Sequence, residues 1–134
     1  IGWGYGDKKI ISALNQIKPP FNINEVAQLA AQESLKDSKF ISRSVRHNLK
    51  YAKKIKKFLE KYDIVSNNIS ANFLLLDFSN CRLKAKSFDQ KLKRQGIILR
   101  STEHGYKIKN MLRLTIGSRA DCQKFIHAVK GIFN

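Results

Sequence analysis

The sequence predicts an α+β fold: a small, mostly antiparallel sheet covered on one face by helices. Three observations carry that expectation. Apolar residues make up 43% of the 134 positions, enough for one buried core. Helical apolar spacing dominates up to about residue 62, and short leucine-rich or β-branched runs take over beyond it. One helical segment then separates two pairs of strand candidates, which is the order of an α+β layer.

Each element has a local reason. Asp7 caps a helix from Lys8 to Ile17, and Lys18-Pro19-Pro20-Phe21 stops it, because proline cannot continue a helix. Asn22-Ile23-Asn24 supplies the cap for a second helix, Glu25 to about Leu35. Asp37 or Ser38 starts a long basic helix that runs to about Tyr62. Its expected inner stripe is Val45, Leu49, Ala52, Ile55 and Leu59, and Arg46, Lys50, Lys53, Lys57 and Lys61 form the opposite face.

Ile64-Val65 reads as a short strand, broken by Asn67-Asn68. Asn72 to Phe78 is the most apolar strand, with Asn72 tying backbone at its start and the Phe73 side chain in the core. Leu83 to Arg94 has helical spacing at Leu83, Phe88 and Leu92, and Gly96 ends it. Ile97–Arg100 and Leu112–Ile116 are two strands joined by a polar loop containing Gly105. Ser118 caps the last helix, with Asp121 three residues on as a short-armed capping box. Cys122, Ile126, Val129 and Phe133 make its inner stripe.

The formal net charge is +16, from 26 Lys and Arg against 10 Asp and Glu. Such an excess points to an anionic partner, nucleic acid first. Most of it is lysine concentrated on the long helix, where the simpler reading is a solvated face. A stand-alone basic module that binds nucleic acid through Arg43–Lys61 remains the competing reading. No zinc finger, RRM or KH motif accompanies it. Cys81 and Cys122 form no CxxC, so neither a zinc site nor a disulfide framework is indicated. No apolar run reaches membrane-spanning length and no signal peptide opens the chain, so a soluble cytoplasmic protein is expected. His47, His104 and His127 share no metal spacing, and Gly2-x-Gly4-x-Gly6 lacks the strand-then-helix context of a phosphate loop. His104 lies in the loop between the last two strands, placed either to approach a ligand or to stand in solvent.

Two arginines are the candidate binding residues. Arg113 lies within Leu112-Arg113-Leu114-Thr115-Ile116, and Arg100 ends Gly96-Ile97-Ile98-Leu99-Arg100. A guanidinium keeps its charge in any protein environment, so a buried one must meet an anion or strong acceptors. Two of them at strand ends suggest a site for a carboxylate or a phosphate.

The motifs also form a familiar series. Pro19-Pro20-Phe21-Asn22-Ile23-Asn24 with Ala27-Gln28 and Ala30-Ala31, then Ser70-Ala71-Asn72-Phe73-Leu74, then Gly96–Arg100 and Leu112–Ser118 occur in the order and spacing of the histidinol-phosphate aminotransferase family. The chain resembles that family over essentially its whole length. Aromatic aminotransferases and threonine-phosphate decarboxylases share the motifs. The resemblance implies the C-terminal small, substrate-closing domain of a fold-type-I enzyme dependent on pyridoxal phosphate. Residues 1–24 would be a remnant of the large domain with the hinge, and residues 25–134 the small domain. It implies that Arg113 binds the anionic end of the substrate and that Arg100 is a second anion contact. It implies a full-length homodimer acting on small anionic substrates in histidine biosynthesis. The Schiff-base lysine and the other cofactor ligands would lie upstream of Ile1. No catalytic, cofactor-binding or metal residue is therefore expected in this chain, which would be a proteolytic or engineered fragment, inactive alone.

Overall fold

The computed structural model describes the backbone of all 134 residues and every side chain but that of His104. The expectation that His104 approaches a ligand falls outside the described side chains. The chain divides into two compact units, Ile1–Ser42 and Arg43–Asn134.

The first unit holds α1 (Lys8–Ile17), α2 (Glu25–Lys36) and the start of α3 (Ser38–Leu59). The expected caps form. Asp7 accepts from the Lys9 N–H at 2.8 Å, and Asn24 accepts from the Ala27 N–H at 2.8 Å. Asp37 does the same for Phe40 at 2.8 Å, which opens α3. The apolar residues of α1, Ile10, Leu14 and Ile17, are exposed.

The second unit contains the core. A 3₁₀ turn, Glu60–Tyr62, ends α3. Then come β1 (Val65–Ser66), β2 (Phe73–Asp77), α4 (Ala85–Lys93), β3 (Arg100–Ser101), the one-turn α5 (Glu103–Tyr106), β4 (Met111–Thr115) and α6 (Arg119–Phe133). The strands form one antiparallel sheet in the order β1-β2-β4-β3. The α+β class is therefore as the sequence predicts.

Alternation decides which side of the sheet is covered. Leu74 and Leu76 of β2 and Leu112 and Leu114 of β4 are buried, and they pair Leu74 with Leu114 and Leu76 with Leu112. They share one face, and that face belongs to the core with Ile55, Leu59, Phe88, Leu92, Phe125 and Val129 of the helices. Phe73, Leu75 and Arg113 stand on the other face, each only half-buried. Phe73 is thus not a core residue. It lies one step out of phase with Leu74, and period two sends it to the opposite side.

Three further expectations change in detail. Val45 and Leu49 are exposed, and burial on α3 begins at Tyr51 and Ala52. A 22-residue helix is about 33 Å long, whereas a five-residue strand spans about 17 Å, so only the C-terminal half of α3 finds a core to pack on. The Ile97–Arg100 strand pairs only from Arg100 onward, as Arg100–Ser101. The polar loop after it contains the helical turn α5, and the Thr102 hydroxyl there meets the Ile108 and Met111 carbonyls at 2.8 and 3.0 Å. Gly96 ends the α4 segment in the left-handed region (φ 70°), which glycine adopts at little cost.

Phe88 is fully buried between Phe78 and Phe133, with ring centroids 4.9 and 6.1 Å away. Phe88→Ala is expected to lower the unfolding free energy by about 3–5 kcal/mol, measured by denaturant titration. A loss below about 1 kcal/mol would contradict this core.

Candidate anion-binding site

Arg100 and Arg113 are direct cross-strand partners in the β3–β4 ladder. Residues opposite each other in an antiparallel pair project from the same face, with Cβ atoms about 4.5–5.5 Å apart. The two candidate residues are therefore brought together. Like charges placed directly opposite are unfavourable unless an anion or water screens them.

Their surroundings are uneven. The Arg113 guanidinium lies 5.1 Å from the Phe73 ring centroid, and the Arg100 guanidinium lies 5.8 Å from that of Tyr106. Stacking of this kind orients a guanidinium without neutralising it. Arg113 is half-buried, and its Nε is buried with no hydrogen-bond partner. Arg100 is exposed. Among the described residues no carboxylate forms an ion pair with either arginine.

Both arginines line one cleft of about 550 Å³. It opens because β3 pairs with β4 only at Arg100 and Ser101. The preceding segment, 96–99, departs from the ladder and leaves a gap beside residues 114–117 of the β4 end. Ile97, Ile98, Ile55, Cys122 and Phe125 line the cleft. Lys124 and Asp121 also border it.

The β4–α6 corner contributes Gly117, Asp121 and Cys122 to the cleft. Ser118 and Asp121 form the expected capping box. The Ser118 N–H and hydroxyl both donate to Asp121 Oδ2, at 2.9 and 2.7 Å, and the Asp121 N–H donates to Ser118 Oγ at 3.2 Å. The Ser118 hydroxyl, its N–H and the charge of Lys124 hold the Asp121 carboxyl below its ordinary 3.8. That carboxylate is engaged with its own helix cap. Burial pushes the Cys122 thiol up, so it stands here as a protonated thiol at neutral pH and donates weakly to the Gly117 carbonyl at 3.6 Å. A Cβ on Gly117 would sit 2.9 Å from the Asp121 side chain. Glycine is required by this close approach.

Sequence reasoning found the two arginines and the cap. It missed Phe73 and Tyr106 as platforms, Lys124 on the rim, and His47, whose Nε2 lies 2.9 Å from the Gly117 carbonyl oxygen. The first two carried a weak signal, as aromatics near the arginine strands. The His47 contact spans 70 positions and has no local signature.

The small α+β domain carries a cross-strand arginine pair on the edge strand of its sheet and that strand's neighbour, and the chain belongs to the aminotransferase class I and II family, whose model matches residues 1–129. It is 58% identical to histidinol-phosphate aminotransferase of Pelagibacter ubique over 134 residues, which is all of this chain and 37% of that protein. It is 35% identical to the enzyme of that name from Cereibacter sphaeroides, over 96% of this chain and 35% of that one. Among solved structures it resembles the Clostridium acetobutylicum histidinol-phosphate aminotransferase with a TM-score of 0.80 and 26% identity, covering 94% of this chain and 38% of that chain. The fold alone is also shared with an L-threonine-O-3-phosphate decarboxylase from Porphyromonas gingivalis (TM-score 0.67, 17% identity, 95% of this chain and 39% of that one). The chain thus spans somewhat over a third of the length of these relatives.

The family's cofactor is pyridoxal phosphate. The cleft does not fit it. Lys124 is exposed, and Asp121 is engaged with Ser118, so the cleft joins no buried lysine to a free carboxylate that could face a pyridine nitrogen.

Two outcomes follow from the corner. Gly117→Ala is expected to destabilise the protein by about 1–3 kcal/mol through overpacking, read by denaturant unfolding, and an unchanged midpoint would contradict the close approach. Asp121→Asn is expected to be destabilising at pH 7. A carboxyl held low in the folded state stabilises above its unfolded value and loses that contribution as pH falls through the folded one. The gap between wild type and variant should therefore close below pH 3.8, as followed by thermal unfolding across pH 2–7.

Proposed function

We propose that this chain is the substrate-closing part of a transaminase dependent on pyridoxal phosphate, acting on histidinol phosphate. The observation that carries this is the Arg100–Arg113 pair, in register on one face and lining one cleft, with a buried Arg113 Nε that has no partner. Its agreement with the family assignment and with the 58% identical relative supports the substrate.

Arg113 is the principal grip. A guanidinium fork accepts a phosphate or a carboxylate through paired charge-assisted hydrogen bonds. The same residue then serves the phosphate of histidinol phosphate and a carboxylate of glutamate or 2-oxoglutarate in alternate half-reactions. Arg100 is the second contact, exposed and correspondingly weaker. The cofactor supplies the amino-group transfer when bound, and residues outside this chain hold it. The assembly is a homodimer of the complete enzyme. It works in the cytoplasm, in keeping with the two free, buried cysteines. No helix is long and apolar enough to cross a membrane among the described residues.

The test is made in the complete enzyme. Arg113→Ala removes hydrogen bonds to charge worth about 2–3 kcal/mol, which is roughly 30- to 150-fold in kcat/KM. The loss is expected in both half-reactions, with cofactor absorbance unchanged. Arg100→Ala is expected to cost about fivefold, in line with an exposed pair worth about 1 kcal/mol. Unaltered kinetics for both substrates in Arg113→Ala would remove the assigned role.

A further inference from the structure

The end of β4 is poorly held on its cleft side. On the other side it is tied to β2 by the ladder, and the Ile116 N–H donates to the Asn72 carbonyl at 2.8 Å. On the β3 side the last registered pair is Arg100 with Arg113. Leu114 to Gly117 have no strand partner there, although Leu114, Thr115 and Gly117 all line the cleft. A strand end with one side unpaired shifts easily unless something else restrains it.

His47 supplies that restraint. Its Nε2 lies 2.9 Å from the Gly117 carbonyl oxygen across 70 positions of chain. A carbonyl only accepts, so Nε2 carries the proton. The imidazole is half-buried and packs against the Tyr51 ring, with centroids 4.6 Å apart, and Tyr51 is itself buried. His47 is therefore a fixed donor. Cys122 Sγ adds a weaker contact to the same oxygen at 3.6 Å. On its far side, Gly117 packs against the Asp121 side chain with no room to spare. The corner is clamped between α3 and the α6 cap.

The clamp also has an electrostatic consequence. Gly117 lines the same cleft as Arg100 and Arg113, the residues proposed above to bind an anion. The Gly117 carbonyl oxygen is the negative end of a peptide dipole and would repel that anion if it faced inward. Donation from His47 holds the oxygen on α3 and satisfies it there.

We propose that His47 is a positioning residue for anion binding, acting through the Gly117 carbonyl to set the cleft wall that continues the Arg113 strand. The proposal rests on the transaminase reading above and assigns His47 no contact with substrate or cofactor.

The experiment uses the complete enzyme and two substitutions. His47→Phe keeps a ring against Tyr51 and removes the donor. His47→Gln restores an N–H at similar reach. In His47→Phe, KM for glutamate and for histidinol phosphate is expected to rise about three- to tenfold, with kcat within twofold and cofactor absorbance unchanged. In His47→Gln, KM is expected to stay within twofold of wild type. An unchanged KM in the Phe variant, or equal rises in both variants, overturns the proposal, whatever happens to the melting temperature. Nitrogen-15 spectra of histidine-labelled wild type give a second measurement that needs no variant to fold. They are expected to show His47 protonated at Nε2, and a tautomer protonated only at Nδ1 overturns the proposal. A wild-type enzyme without transaminase turnover would sink the reading it rests on, whereas an active enzyme indifferent to His47 sinks this inference alone.

Discussion

Period-two alternation along β4 governs the rest of this structure. Leu112 and Leu114 must face the core to be buried, and that obligation sends Arg113 to the other face of the sheet. The same ladder places Arg100 opposite Arg113. Neither arginine chose its position for charge. Apolar burial in the second unit fixed the register, and the register brought two guanidinium groups together. A slip of one residue would bury a guanidinium among leucines and expose the core strand, at a cost far beyond any anion contact.

The site that results is a place of unresolved charge. Aromatic rings at Phe73 and Tyr106 orient the two guanidinium groups, and a buried Nε waits without an acceptor. Preorganised, unsatisfied donors bind an anion more tightly than flexible ones because little reorganisation accompanies binding. The lysine-rich face of α3 differs in this respect. Lys50, Lys53, Lys54 and Lys57 are exposed, and exposed mobile cations contribute little specificity. Arg113 differs from these lysines in being half-buried, and Arg100, itself exposed, differs in standing directly opposite Arg113.

Much of this was legible locally. Asp7, Asn24 and Ser118 cap their helices as their residue types require, since capping depends on neighbours within three positions. Gly96 stops the α4 segment for an equally local reason. What was misjudged depended on partners distant in sequence. Ile97 to Leu99 have the composition of a strand, but strand formation needs a neighbour and β4 offers one only at Arg100 and Ser101. Val45 and Leu49 continue a helical stripe that outruns the core available to it. Phe73 is apolar enough for either face, and only the register of β2 on β4 assigns it.

The amino-acid sequence by itself determined the α+β class, the caps, the element order and the two arginines, together with the resemblance that names their partner chemistry. These follow from short-range periodicity and from residue types with few alternative uses. Tertiary structure alone decided that Arg100 and Arg113 share a face, that a cleft opens where β3 leaves the ladder, and that His47 reaches Gly117. Each of those depends on which strand or helix becomes a neighbour, and a linear pattern fixes what a segment prefers without fixing what it will meet.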